Sequence, residues 1–352
     1  MAETDRKLEQ LHFAKVLKTF AAYEEHSNAI IDRKLESVKF VPSDMSKVIQ
    51  KRLESHRIYI QRNAQFIKKL IEDNPVFIES VDDDSINSIP DMDHDKVRST
   101  LRQFVRDWSL EGKVERENTY GPILRTLEAE FADVHVQDRG TIQVLCPGAG
   151  LGRLVYEIVK RGYSCQGNEF SFFMLLSSNF ILNQVSHAES LAIYPWIHQF
   201  SNMPSQTIQC REVLIPDVAV VDTIPPTADF SMVGGDFIEV YSTESQKGKW
   251  DVVVTCFFMD TAKRITDYLQ VISHCLKSGG IWINFGPLLY HFEGMKEHHS
   301  VEFTLEEFKL LISQYGFRVE IEETIDSVYA GCPESMMHYL YHNYTFKARK
   351  IE

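Results

Sequence analysis

The sequence predicts an α/β protein, a seven-stranded Rossmann-like sheet with an N-terminal helical extension, on three observations. First, the apolar run ending in Val144-Leu145-Cys146 breaks into Pro147-Gly148-Ala149-Gly150-Leu151-Gly152, and an amphipathic stretch, Leu154 to Val159, follows at once. Strand, glycine turn, helix is how such folds open a nucleotide-sized space at the carboxyl edge of a parallel sheet. Second, short apolar runs alternate with helical stretches through the remaining residues. Third, the first 130 or so residues carry helical periodicity instead. The expected division is therefore a helical region over 1–130 and a sheet domain over 131–352.

In the helical region Phe13, Leu17, Phe20 and Ala21 recur at helical spacing. A longer helix is expected from a cap at Ser43 to Asn74, stopped by Pro75, with Ile49, Leu53, Ile60, Ile67 and Leu70 or Ile71 on one face. That face is expected to pack on the sheet domain or on a second chain, the latter giving a homodimer. Residues 82–95, acidic and broken by Pro90, read as an exposed linker. Val97, Leu101, Phe104, Val105 and Trp108 mark another helix with Gln103 and Arg106 on one flank, which by itself reads as a solvated face.

In the sheet domain Tyr163 to Gly167 reads as the second strand, closed by Glu169, seventeen residues past Gly152. A carboxylate there can accept hydrogen bonds from both hydroxyls of a ribose. Phe230 to Phe237 reads as a third strand ending in the pair Asp236-Phe237. The acid suits the exocyclic amine of adenine and the ring suits its face. Trp250 to Phe258 is a continuous apolar run, as expected of a strand buried on both faces. A helix over Ile265–Leu276, a turn at Lys277-Ser278-Gly279-Gly280 and a strand over Ile281–Phe285 follow. Residues 187–227 interrupt the alternation with several prolines and Tyr194-Pro195-Trp196, and are expected to form an irregular insertion that walls or lids a site. Phe303 to Leu311 suggests a helix, Phe317 to Ile321 a strand, and Met336 to Lys347 an alternating seventh strand running antiparallel. In it Tyr339 and Tyr341 share a face.

The formal net charge of −13 argues against a nucleic-acid partner. No apolar run approaches membrane-spanning length, so no membrane partner is expected. Six scattered cysteines without C-x-x-C spacing read as reduced thiols, which places the chain in the cytoplasm or the nucleus, and no metal is expected. His338 and His342 are four apart, but in a strand-like stretch that does not bring them to one metal. The glycine spacing narrows the ligand further. A dinucleotide turn wants a third glycine where Arg153 stands, so G-x-G-x-G suits an adenosyl group without a pyrophosphate.

This order of strands and punctuation resembles the class I S-adenosylmethionine-dependent methyltransferases. More narrowly, the runs Gly148–Leu154, Gly167-Asn168-Glu169-Phe170-Ser171, Asn179–Asn183, Tyr194-Pro195-Trp196, Gly235-Asp236-Phe237, Cys256–Ala262 and Trp282–His291 are similar to the carnosine N-methyltransferase family, as is Gln103–Trp108. The resemblance covers roughly residues 43–348. It implies methyl transfer from S-adenosylmethionine to a ring nitrogen of histidine in a small dipeptide, carnosine becoming anserine. It further implies cofactor contacts from Gln103, Arg106, Gly148, Gly150, Gly152, Glu169, Asp236, Phe237 and Cys256. Phe257, Asp260, His291, Tyr339 and Tyr341 are implied to surround the peptide.

Asp260 follows the fourth strand and is expected at the sheet's carboxyl edge. There a carboxylate can take the imidazole N–H, aim the other ring nitrogen at the methyl carbon and offset the charge that develops. The competing reading of Asp260 is an N-cap for Thr261-Ala262-Lys263. Phe257 by default is core, and His291 an ordinary loop residue. The rival functions are a methyltransferase for another imidazole, such as a protein histidine, and an inactive scaffold. Retention of Glu169, Asp236 and Asp260 together speaks against the scaffold.

Overall fold

The computed structural model describes residues 2–74, 89–296 and 299–351, and the chain divides into two compact units. The division does not follow the expected boundary at 130. The first unit takes residues 1–113, 172–219 and 330–338, and the second takes 114–171, 220–329 and 339–352. Contacts made by the insertion, rather than position along the chain, decide membership.

In the first unit lie α1 (Ala2–Ala21), α2 (Tyr23–Ser37), α3 (Ser43–Glu72) and α4 (Asp91–Trp108). The apolar face of α3, with Leu53, Ile60, Ile67 and Leu70 buried, packs against α1, α2 and the insertion of this same unit. Ser43 is the first helical residue and Pro42 the cap. The expected linker is corrected in part. Residues 82–88 lie outside the described residues, but Asp91 to Asp95 begin α4, where Asp91 and Asp93 favour the positive end of the helix dipole.

The insertion is ordered too. After α7 (Phe172–Asn179), β3 (Leu191–Ile193) pairs antiparallel with β4 (Val213–Ile215), and a single turn, α8 (Gln206–Gln209), lies between them. Asn63 of α3 holds the backbone of Tyr194 from both sides, accepting from its N–H at 2.8 Å and donating to its carbonyl at 2.9 Å. The backbone at Tyr194, which opens the Tyr194-Pro195-Trp196 motif, is thus pinned to α3 within this unit.

The second unit opens with α5 (Lys113–Glu130), followed by β1 (Gln143–Pro147), α6 (Arg153–Lys160) and β2 (Ser164–Glu169). Then come β5 (Phe230–Gly234), α9 (Phe237–Tyr241), β6 (Trp250–Cys256), α10 (Ile265–Cys275), β7 (Leu276–Gly286), α11 (Leu305–Gln314), β8 (Phe317–Ser327) and β9 (Tyr341–Lys350). The seven strands lie in the order β5-β2-β1-β6-β7-β9-β8, all parallel except β9. Alternate residues feed two cores. Val144, Val252, Val254, Ile281 and Ile283 pack with α5 and α6, while Leu145, Val253 and Trp282 pack with α9, α10 and α11. Strands buried on both faces read as unbroken apolar runs for this reason.

Three boundaries move. The expected turn at Lys277–Gly280 is an irregularity inside β7, where the register steps from Trp250↔Leu276 to Val252↔Ile281. β8 runs on to Ser327 as an edge strand, its ladder with β9 stepping past Glu320 and continuing from Ile321 through Glu322 and Glu323 to Ser327. β9 starts only at Tyr341, so Met336 to Leu340 precede the strand.

Candidate active site

The strand order reverses between β1 and β6, and Gly148, Glu169, Asp236, Cys256 and Asp260 end or follow the strands β1, β2, β5 and β6 at their carboxyl edge. Such a switch point is where open α/β sheets hold ligands. The glycine turn after β1 has positive φ at Gly148 (+68°) and Gly150 (+54°), conformations that L side chains rarely adopt. A Cβ on Gly148 would stand 2.5 Å from the Phe258 ring, whereas one on Gly150 would meet nothing within 4 Å. Gly148 therefore closes the floor, and Gly150 faces open space that a ligand can fill. Gly152 caps α6.

Glu169 is the hub of this rim. Its Oε2 accepts the Gly150 N–H at 2.8 Å, and its Oε1 accepts the N–H groups of Phe170 and Ser171, both at 2.8 Å. Burial raises the pKa of this carboxyl above the usual range, outweighing the three N–H donors. β5 runs beside it, with Glu169 opposite Gly234. Two residues on, Asp236 caps α9 through Oδ1, at 2.8 Å to Ile238 N–H and 3.1 Å to Glu239 N–H, which leaves Oδ2 for a ligand. Phe237 corrects an expectation. Its ring is 3% exposed and packs edge-on against Phe258 and Tyr268 in the core. It has no open face for adenine, so what Phe237 offers at the rim is backbone.

At the end of β6, Cys256 is half-buried and Phe257 turns the chain with φ +51°, an outlier for a bulky side chain. Strain of this kind clusters at functional sites. The turn takes Phe257 out of the default core role. Its ring meets those of Tyr329 at 4.7 Å and Tyr341 at 5.9 Å, as well as Phe285 at 5.8 Å. Asp260 lies in the 3₁₀ turn Met259–Thr261 and is 3% exposed. Its side chain makes no cap bond. Instead Oδ2 accepts the Leu289 N–H at 2.9 Å, and its carbonyl accepts the His291 N–H at 3.0 Å, so the acid pins the loop after β7 to the turn after β6. Burial raises the Asp260 pKa, with the Leu289 N–H and the nearby His291 ring pulling it back in part. The His291 side chain itself is exposed.

Tyr339 falls outside the strand, is 71% exposed and does not share the Phe257 ring cluster that Tyr341 joins. Tyr329, by contrast, is not among the residues the sequence singles out. The acidic edge strand before it hides any apolar alternation, and only ring geometry reveals it. Gln103 and Arg106 belong to the first unit. Arg106 is 6% exposed and donates to Asp107 at 2.9 Å, so it is no solvated face. Because Tyr339 touches so little, Tyr339→Ala is expected to change stability by no more than about 0.5 kcal/mol. A several-fold rise in dipeptide KM in that variant, beside an unchanged melting curve, would mark Tyr339 as a substrate contact.

A parallel sheet of this order with one antiparallel strand, a glycine turn after its first strand, a carboxylate ending the second and an acid after the third defines a class I S-adenosylmethionine-dependent methyltransferase. Residues 83–352 match the family model described as carnosine N-methyltransferase. The chain is 41% identical to the carnosine N-methyltransferase of Mus musculus over 358 residues, 99% of this chain and 88% of that protein. It is 45% identical to that of Schizosaccharomyces pombe over 263 residues, 72% of this chain and 70% of that one. With the Dictyostelium discoideum carnosine N-methyltransferase it shares 36% identity over 350 residues, 94% of this chain and 74% of that protein. The chain belongs to the carnosine N-methyltransferase family.

Proposed function

We propose that this chain transfers a methyl group from S-adenosylmethionine to a ring nitrogen of the histidine in carnosine (β-alanyl-histidine), giving anserine. The observation that carries the reading is Asp260, a buried acid at the switch point whose Oδ2 is held by Leu289, which leaves Oδ1 for a substrate N–H. Relatives that bear the name carnosine N-methyltransferase support it.

The residues fit the cofactor. Gly150 faces space that a side chain would obstruct, Glu169 can accept from ribose hydroxyls, and Asp236 Oδ2 can accept from the adenine amine. When bound, S-adenosylmethionine supplies a methyl group activated by its sulfonium. The protein then has to aim an imidazole, and positioning of that kind can contribute roughly 7–11 kcal/mol to lowering the barrier. Free imidazole has a pKa of about 6.5, so most of it is already neutral at pH 7. Asp260 Oδ1 accepts its N–H, fixes the tautomer and leaves the opposite nitrogen with its lone pair. As that nitrogen becomes substituted the ring turns cationic, and the carboxylate offsets the charge in a site with little water. The faces of Phe257, Tyr329 and Tyr341 favour the same cation through their quadrupoles. His291, anchored by its backbone on Asp260 and with its side chain exposed, is a further contact for the peptide. Six free thiols support action in a reducing compartment, the cytoplasm or the nucleus.

Incubation with labelled S-adenosylmethionine and, separately, carnosine, histidine, homocarnosine and a histidine-containing peptide tests this. A one-methyl mass shift is expected on carnosine. Labelling of the peptide alone would give the enzyme a different imidazole.

A further inference from the structure

Tyr341 opens β9, and Tyr329 stands two residues beyond Ser327, the last residue of β8. Ser327↔Tyr341 is the final pair of the β8–β9 register, so the ladder ends just where the two rings begin. Two residues inside that end, opposite Ile325, sits Asn343, with 0% of its surface exposed. Asparagine is depleted in strands, and a buried amide costs free energy unless it is hydrogen-bonded. Its Nδ2 donates to the Ile325 carbonyl at 2.9 Å, to Ser327 Oγ at 2.9 Å and to the Tyr341 carbonyl at 3.2 Å. Two hydrogens serve three acceptors, so one of them is shared. Oδ1 is buried with no partner among the described residues. Turning the amide over would set Oδ1 against the same acceptors, which fixes its orientation. A residue serving the ladder alone would be β-branched and apolar. This one is committed instead to the end of the strand pair.

We infer that Asn343 is a positioning residue for dipeptide binding. Through Ser327 and the Tyr341 carbonyl it sets the spacing of the Tyr329 and Tyr341 rings against Phe257. It touches no substrate itself, being wholly enclosed. The inference rests on carnosine being the substrate.

Calorimetry of carnosine binding to protein saturated with S-adenosylhomocysteine tests both, using wild type, Asn343→Leu and the milder Ser327→Ala. Asn343→Leu keeps the volume and removes the donors. It is expected to weaken carnosine about tenfold, the scale of one or two lost hydrogen bonds. Ser327→Ala is expected to weaken it by a few-fold, and it carries the test should the leucine variant not fold. S-adenosylhomocysteine affinity is expected to stay within about twofold in both, since residues coupled only to the aromatic wall should not move the cofactor rim. In a Tyr329→Ala/Tyr341→Ala background, Asn343→Leu should add almost nothing, because the rings it positions are gone. Undiminished carnosine affinity in both variants would overturn the inference. So would an equal loss in the background without the tyrosines, or a parallel loss of cofactor affinity. Wild-type protein that bound S-adenosylhomocysteine and no carnosine would instead sink the substrate reading, and the inference with it.

Discussion

Asp260→Asn is expected to lower kcat for carnosine by three to four orders of magnitude while S-adenosylhomocysteine affinity stays within a few-fold. The amide is isosteric, and its oxygen can still accept from Leu289 N–H, so the loop that carries His291 keeps its anchor. What changes is the second position, where an N–H₂ donor replaces the oxygen meant for the substrate. The imidazole would then present its lone pair to the new amide and its proton to the methyl carbon. A wrong tautomer of this origin costs about 10⁴ in kcat where the equivalent exchange is known in other enzymes. Asp260→Ala gives a different pattern. It also takes the acceptor from the Leu289 N–H and so frees the loop after β7, and should lower the melting temperature as well as the rate. Rapid-quench turnover beside calorimetry checks both, and normal turnover in the asparagine variant would remove Asp260 from the chemistry. The pH profile supplies a second reading. Burial raises the Asp260 pKa, and the ionised form is the working one, so activity is lost as pH falls through a value above the ordinary carboxylate range. That loss should appear in kcat/KM, which reports the ionisations of the free enzyme, beside the titration of free imidazole.

The parts legible in the sequence are those in which chemistry and periodicity coincide. Gly148, Gly150, Glu169 and Asp260 each end or follow a buried strand, Asp236 follows the half-exposed edge strand β5, and an apolar run that stops at a glycine or an acid announces the sheet's carboxyl edge. Residues whose roles depend on how side chains turn are not legible. Phe237 reads like an adenine platform, but the capping geometry of Asp236 starts α9 at that residue and sends its ring into the core. Phe257 reads like core because nothing in a run of apolar residues foretells a positive φ. Tyr329 follows an acidic edge strand and gives no periodic signal. The acids that open α4 mislead for a related reason. Charges that stabilise a helix's first turn have the composition of a linker, and only the following Val97–Trp108 spacing distinguishes them.

Glu169→Ala should have the larger effect on the cofactor, raising the S-adenosylhomocysteine dissociation constant by about 10², the worth of two charge-assisted bonds to a ribose. The loss is not confined to those bonds. Gly150, Phe170 and Ser171 all donate to this carboxylate, so the truncated side chain also leaves the glycine turn without its tether. Glu169→Gln separates the two contributions. Its amide oxygen can keep the N–H groups of Phe170 and Ser171 while its NH₂ faces that of Gly150, so affinity should fall by a comparable factor with less loss of order around β2. The pH dependence gives an independent check. In the free protein burial raises the Glu169 pKa, so the fold loses some stability as pH rises from the ordinary carboxylate value to that raised one. Ribose hydroxyls donate to the ionised form, so binding should release a proton and weaken as pH falls through the raised pKa. The thermal stabilisation given by S-adenosylhomocysteine is accordingly expected to be greater at about pH 8 than at about pH 5 in the wild type. In Glu169→Gln, with no proton to release at that position, the difference should shrink to what other groups contribute. Equal pH dependence in the two proteins, or an unchanged dissociation constant in Glu169→Ala, would take the ribose away from Glu169 and leave it only the turn.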